Sequence, residues 1–200
     1  MIEKVGIIGA GQMGSGIAQV CAVAGLSVAI SDINAEQLTK SVAGIAKNLD
    51  RQIAKGKLTA AEKDEAMARI ATSTDLSIFK DSDLVIEAAT ESEDVKRLIL
   101  KALVPNLSPA AIIATNTSSI SITRLAASTD RPEKFIGMHF MNPVPVMQLV
   151  EIIRGIATDD ETFQAIKAMT ARLGKTAAIA EDFPAFIVNR ILLPMINEAI

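Results

Sequence analysis

Two groups of residues have the types and spacing that chemistry requires. Gly9-Ala10-Gly11-Gln12-Met13-Gly14 is a complete G-x-G-x-x-G, and Asp32 lies 18 residues past its last glycine. Glycines so placed let backbone approach a pyrophosphate without a Cβ in the way, and a following helix turns its free N–H groups to the phosphate. An acid ending the next strand then accepts from a ribose hydroxyl, so the motif has meaning only between a strand and a helix. Because that acid repels a 2′-phosphate, the expected cofactor is NAD(H), not NADP(H).

The second group surrounds His139, the only histidine in the chain. Asn142-Pro143-Val144-Pro145 forces a turn after it, and the strand beyond contains Glu151. A carboxylate on one ring nitrogen fixes the tautomer and stabilises imidazolium, leaving the other nitrogen to take a proton. A lone histidine is more often a satisfied strand-end residue. The nucleotide motif favours chemistry, because ligands of open parallel sheets collect beyond the carboxyl ends of the strands.

These residues need elements to hold them, and the apolar pattern supplies them. Lys4–Ile8 and Leu26–Ser31 read as continuously apolar strands joined by a helix over Ser15–Ala24, as expected of parallel strands covered on both faces. Residues 34–55 place Leu38, Val42, Ile45, Leu49 and Ile53 on one helical face, and a second helix is expected from Ala60 to about Ile70. Further strands are expected at 84–88, 111–115 and 135–140, with a helix from about Asp94 to Val104 between the first two. A hairpin-like pair near 148–153 and 176–180 flanks a helix at about 159–173. The expected class is therefore α/β: a Rossmann-like, doubly wound and mainly parallel sheet with a helical-hairpin insertion after the second strand.

Composition narrows the function. A net charge of −3, no Trp, no Tyr and six Phe argue against a nucleic-acid partner. One cysteine, Cys21, excludes a disulfide scaffold and suits a reducing, cytoplasmic setting. Val5–Ile30 carries no charge, long enough for a membrane span, but six glycines and a start of Met1-Ile2-Glu3-Lys4 argue for a buried strand-helix-strand unit instead. No metal-ligand cluster stands out.

Gly9–Gly14, Asn116-Thr117-Ser118-Ser119, and His139-Phe140-Met141-Asn142-Pro143-Val144-Pro145 with Glu151 together resemble the L-3-hydroxyacyl-CoA dehydrogenases, including the 3-hydroxybutyryl-CoA enzymes. The resemblance spans nearly the whole chain. Met141, where an aromatic is usual, and Gln148, where lysine is common, depart from it. It implies NAD as cofactor, a short-chain acyl-CoA as substrate, a place in fatty-acid metabolism, His139 as general base and Glu151 as its orienting acid. It also implies Ser118 and Asn189 as donors to substrate oxygen, completed by Asn142. Glu91, Lys96, Asn116 and Asn142 match cofactor-side positions, alongside Gly9, Gly11, Gln12, Met13, Gly14 and Asp32. Ser118 also reads as a helix N-cap before Ile120.

On the helix at 34–55, Lys40, Lys47, Arg51 and Lys55 form one basic stripe. Such a stripe is ordinarily a solvated face; the resemblance brings coenzyme A near it, so Arg51 or Lys55 is expected to touch the ligand. From Phe183 apolar residues surround a helix whose first turn suits Pro184. The expected organisation is a nucleotide domain over 1–182, with 183–200 as the first helix of a helical domain that the family uses for closure and for a homodimer. A free hydroxy-acid or sugar-acid dehydrogenase, or a non-catalytic dinucleotide-binding protein, are the alternative readings.

Overall fold

The computed structural model describes residues 1–200. Its order is β1 (Lys4–Ile8), α1 (Gln12–Val23), β2 (Ser27–Ser31), α2 (Ala35–Ala54), α3 (Ala60–Ala68), β3 (Ile70–Ser73) and β4 (Leu84–Glu87). There follow α4 (Glu93–Leu103), β5 (Ile112–Thr115), α5 (Ile122–Ala126), β6 (Phe135–Phe140), β7 (Leu149–Arg154), α6 (Asp160–Arg172), β8 (Thr176–Glu181) and α7 (Val188–Glu198). One eight-stranded sheet has the order β3-β2-β1-β4-β5-β6-β7-β8. Every neighbouring pair is parallel except β6 and β7. This is the doubly wound α/β class that the apolar pattern predicts, with α2 and α3 as the helical insertion after β2.

The central strands are buried on both faces, which is why they read as unbroken apolar runs. Ile7, Ile17, Leu26 and Ile30 pack with Ile45 and Leu49 beneath α1 to α3, and Ile166 and Met169 of α6 extend that layer. Phe79, Leu100, Leu103, Leu125 and Phe135 form the opposite layer under α4 and α5. Each large side chain so buried contributes about 1.5–3 kcal/mol. No helix is long and apolar enough to cross a membrane.

Local chemistry sets the element ends. Asn34 accepts from the N–H groups of Glu36 and Gln37 to start α2, and Thr59 with Glu62 forms a reciprocal capping box at α3. Gly9 sits at φ +99° where β1 turns into α1, a conformation that L side chains rarely adopt.

Three expectations are corrected, and two elements were not expected. The strands at 149–154 and 176–181 are parallel and joined by the α6 crossover; the hairpin is β6–β7, closed by the 141–148 turn. A connection holding a whole helix is long enough for a crossover, and parallel pairing needs one. The short edge strand β3 begins at Ile70, where the helix was expected to end, and α5 had no helical period long enough to read. The final helix begins at Val188, because Ala185 (φ 68°) and Phe186 (φ 49°) form a left-handed turn that leaves Pro184 outside it. No residue of α7 is buried, although its apolar residues suggest burial all round.

Candidate active site

The carboxyl ends of β1, β4, β5 and β6 lie side by side, and they lead into Gly9–Gly14, the segment with Glu91, Asn116–Ser119 and His139–Asn142. That is where ligands of an open parallel sheet bind.

The glycine turn has the shape expected of a phosphate cradle. A Cβ on Gly14 would lie 1.8 Å from the Gly9 carbonyl oxygen, whereas one on Gly11 would meet nothing within 4 Å. So Gly14 is required by packing, and Gly11 faces open space where a ligand can approach. Gly11 caps α1 with no side chain, which leaves the first-turn N–H groups of the helix available to an anion. Asp32 directly follows β2 and holds the turn: its Oδ2 accepts from Ala10 N at 2.8 Å and its Oδ1 from Asn34 N at 3.0 Å. Each oxygen keeps a lone pair for a ribose hydroxyl. These residues fit a dinucleotide. Gln12 Nε2 donates to Asn142 Oδ1 at 3.0 Å, while Met13 packs against the core.

His139 and Glu151 face each other across the antiparallel β6–β7 register. His139 Nδ1 lies 2.7 Å from Glu151 Oε2. The other ring nitrogen makes no hydrogen bond within the protein, and the side chain keeps 10% of its surface exposed, beside the Phe186 ring at 6.2 Å between centroids. Glu151 is fully buried, and its second oxygen accepts from the backbone N–H groups of Ile187 and Val188 at 2.9 and 2.8 Å. Burial pushes its carboxyl up, but the hydrogen bonds from His139, Val188 and Ile187 outweigh that and hold it below the usual carboxylate range. It therefore stays charged, as an acid opposite a developing imidazolium must.

The serine turn is organised by Glu91. Its Oε1 accepts from Thr117 Oγ1 at 2.7 Å, from Ser118 N and Oγ both at 2.8 Å, and from Ser119 N and Oγ both at 3.1 Å. Burial raises the Glu91 carboxyl, yet these bonds and the nearby Lys96 keep it low. Asn189 Nδ2 donates to Ser118 O at 3.1 Å, and Asn116 Oδ1 accepts from Phe140 N at 2.8 Å. The structure thus brings Ser118, Asn189, Glu91 and Asn116 together, while Asn142 pairs with Gln12 at the α1 side instead. Ser118 is not a helix cap: Ser121 caps α5. Lys96 is only 1% exposed with its ammonium on Glu87, so it acts through its carboxylate neighbours.

Arg51 and Lys55 are exposed, and Arg51 donates to Asn48 at 3.2 Å. A crevice of about 280 Å³ lies between α1, α2 and the 142–145 turn, lined by Gly11, Gln12, Asn48 and Asn142; of the basic stripe only Lys40 reaches it. A larger groove of about 650 Å³ is lined by Ile2, Asp83 and Ala111, at the amino ends of the strands and away from His139. The residues around the site that sequence reasoning missed are Glu87, Lys175, whose ammonium donates to Val144 O and Met147 O in the 141–148 turn, and the Ile187 and Val188 N–H groups. An acid inside the apolar run Leu84-Val85-Ile86-Glu87 was the one available signal.

The family model for the NAD-binding domain of 3-hydroxyacyl-CoA dehydrogenase matches residues 4–183. A 3-hydroxybutyryl-CoA dehydrogenase of Bradyrhizobium diazoefficiens is 60% identical over 200 residues, all of this chain and 68% of that protein. A probable 3-hydroxybutyryl-CoA dehydrogenase of Bacillus subtilis is 48% identical over 199 residues, covering 100% of this chain and 69% of its own length. The crystal structure of (S)-3-hydroxybutyryl-CoA dehydrogenase from Ralstonia eutropha superposes with a TM-score of 0.98 at 55% identity, over 100% of this chain and 70% of that one.

Proposed function

The chain belongs to the 3-hydroxyacyl-CoA dehydrogenase family, as an NAD-dependent oxidoreductase of the 3-hydroxybutyryl-CoA type, and from that premise we propose how its own residues carry out the reaction. His139 is the general base that removes the proton from the 3-hydroxyl of the substrate. Glu151 holds Nδ1 in place and balances the imidazolium charge that results. Ser118 and Asn189 orient the substrate oxygen, and the Asn189 amide hydrogen that is not spent on Ser118 O stabilises the charge that develops on it. The Gly9–Gly14 turn and Asp32 would hold NAD, together with Glu91, Asn116 and Asn142. A bound nicotinamide would supply the hydride acceptor for the carbon that bears the hydroxyl.

The observation that carries the proposal is the 2.7 Å His139–Glu151 pair at the end of the strand three places from the glycine turn. The substrate class is supported by the names of the relatives, and acetoacetyl-CoA tested beside free acetoacetate separates a thioester substrate from a free acid. His139→Gln should keep NADH affinity within about twofold and lower turnover at least about 10²-fold, the range a positioned base supplies. Retained turnover would exclude His139 as the base. The division at 182/183 is part of the same proposal, supported by the exposure of Ile191, Leu193 and Met195 on α7. So is a homodimer of the intact protein, which sedimentation at increasing concentration would test.

A further inference from the structure

Glu87 is fully buried at the end of an otherwise apolar strand, where a carboxylate is costly unless both oxygens are paired. Both are. Oε1 accepts from Ala89 N at 2.9 Å, and Oε2 accepts from Thr115 Oγ1 at 2.8 Å and from the Lys96 ammonium. Those partners lead to the segments that face the crevice. Ala88 and Ala89 back the glycine turn, where a Cβ on Gly9 would lie 2.7 Å from Ala88 O and from Ala89 Cα. Thr115 Oγ1 also accepts from Thr117 N at 3.3 Å, at the root of the serine turn. Lys96 Nζ stands 3.9 Å from Glu91 Oε2, and the other oxygen of Glu91 gathers Thr117, Ser118 and Ser119.

We propose that Glu87 is a positioning residue: it holds the Lys96 ammonium at a set distance from Glu91, and so keeps the serine turn in register with the glycine turn. This rests on the dehydrogenase reading above. Without the Glu87 charge, Glu91 is the nearest anion to a buried ammonium. Lys96 then closes on it and draws its carboxylate off the serine turn.

The test compares Glu87→Gln, Lys96→Met and the double variant in the intact protein, reading Tm, NADH affinity by fluorescence, and kcat and KM with acetoacetyl-CoA. Glu87→Gln should lower Tm and reduce kcat/KM about ten- to hundredfold, the scale of a misplaced reacting group. The double variant buries no lone charge and should regain most of the lost Tm. It should nonetheless keep a kinetic loss of about tenfold or more, because Glu91 no longer has its cation. Recovery of Tm and kcat/KM together would make Glu87 purely structural and overturn the proposal. Values within twofold of the parent for both kcat/KM and NADH affinity in Glu87→Gln would overturn it as well. If Glu87→Gln does not fold, the double variant decides alone. Absence of turnover in the parent would refute the dehydrogenase reading, and the NADH titration would still decide on Glu87, with a rise in Kd of about fivefold or more expected.

Discussion

Replacing Glu151 with glutamine isolates what the buried acid does, since the shape is kept and only charge and one acceptor are lost. Two arrangements are open to the amide. If its oxygen keeps the Ile187 and Val188 N–H groups at 2.9 and 2.8 Å, its NH2 faces His139 Nδ1 and donates to it. The ring proton then sits on Nε2, the nitrogen that has to accept one. If the amide flips, the NH2 meets two backbone donors, and the start of α7 loses its acceptor. Loss of one hydrogen bond to a charged group costs about 1.5–3 kcal/mol, or about 10- to 150-fold in rate. Enforcing the wrong tautomer takes the loss toward about 10⁴-fold, as a comparable exchange does in the serine-protease triad. NADH oxidation with acetoacetyl-CoA should therefore fall between about 10² and 10⁴-fold in kcat, with NADH affinity unchanged within about twofold. A variant keeping a tenth of the parent rate would refute the reasoning. Stability gives a second reading with a definite sign. The folded carboxyl lies below its unfolded value, so its contribution is present above the usual carboxylate range and lost as pH falls through the folded value. The parent and Glu151→Gln should thus converge in stability on acidification below about pH 4.

Three further outcomes are expected. Gly14→Ala places a methyl 1.8 Å from the Gly9 carbonyl oxygen, which should cost about 1–3 kcal/mol or more by thermal denaturation and weaken NADH binding about tenfold or more. Asp32→Asn removes the charge that holds Ala10 N at 2.8 Å, so NADH affinity should fall about tenfold and the preference over NADPH should shrink, both read by fluorescence titration. Lys175 donates to Val144 O and Met147 O, both at 2.8 Å, and ties the turn that carries Asn142. Lys175→Met should lower stability by about 1.5–3 kcal/mol in a denaturant melt and raise KM more than it lowers kcat; an unchanged melt would show the tie to be dispensable.

Much of the frame was legible because it is written locally. The strand Lys4–Ile8 and the helix face of Leu38, Ile45 and Leu49 are consequences of period within a few residues. The β7–β8 pairing, the edge strand β3 and the turn before α7 were not legible. Partner and direction depend on distant strands in the first two, and the turn rests on left-handed backbone at Ala185 and Phe186, residues with no preference for it.

The sequence by itself determined that a dinucleotide turn and a lone histidine with an acid on the next strand exist, since glycine spacing and residue type carry that chemistry. Only the tertiary structure decided how the acids divide their work. Glu151 shares itself between His139 and the start of α7, Glu91 gathers the serine turn, and Glu87 with Lys96 lies beneath it. The physical reason is that a carboxylate's role is set by its partners and its burial. Those partners stand 9 to 37 positions away along the chain and meet only when the strands align.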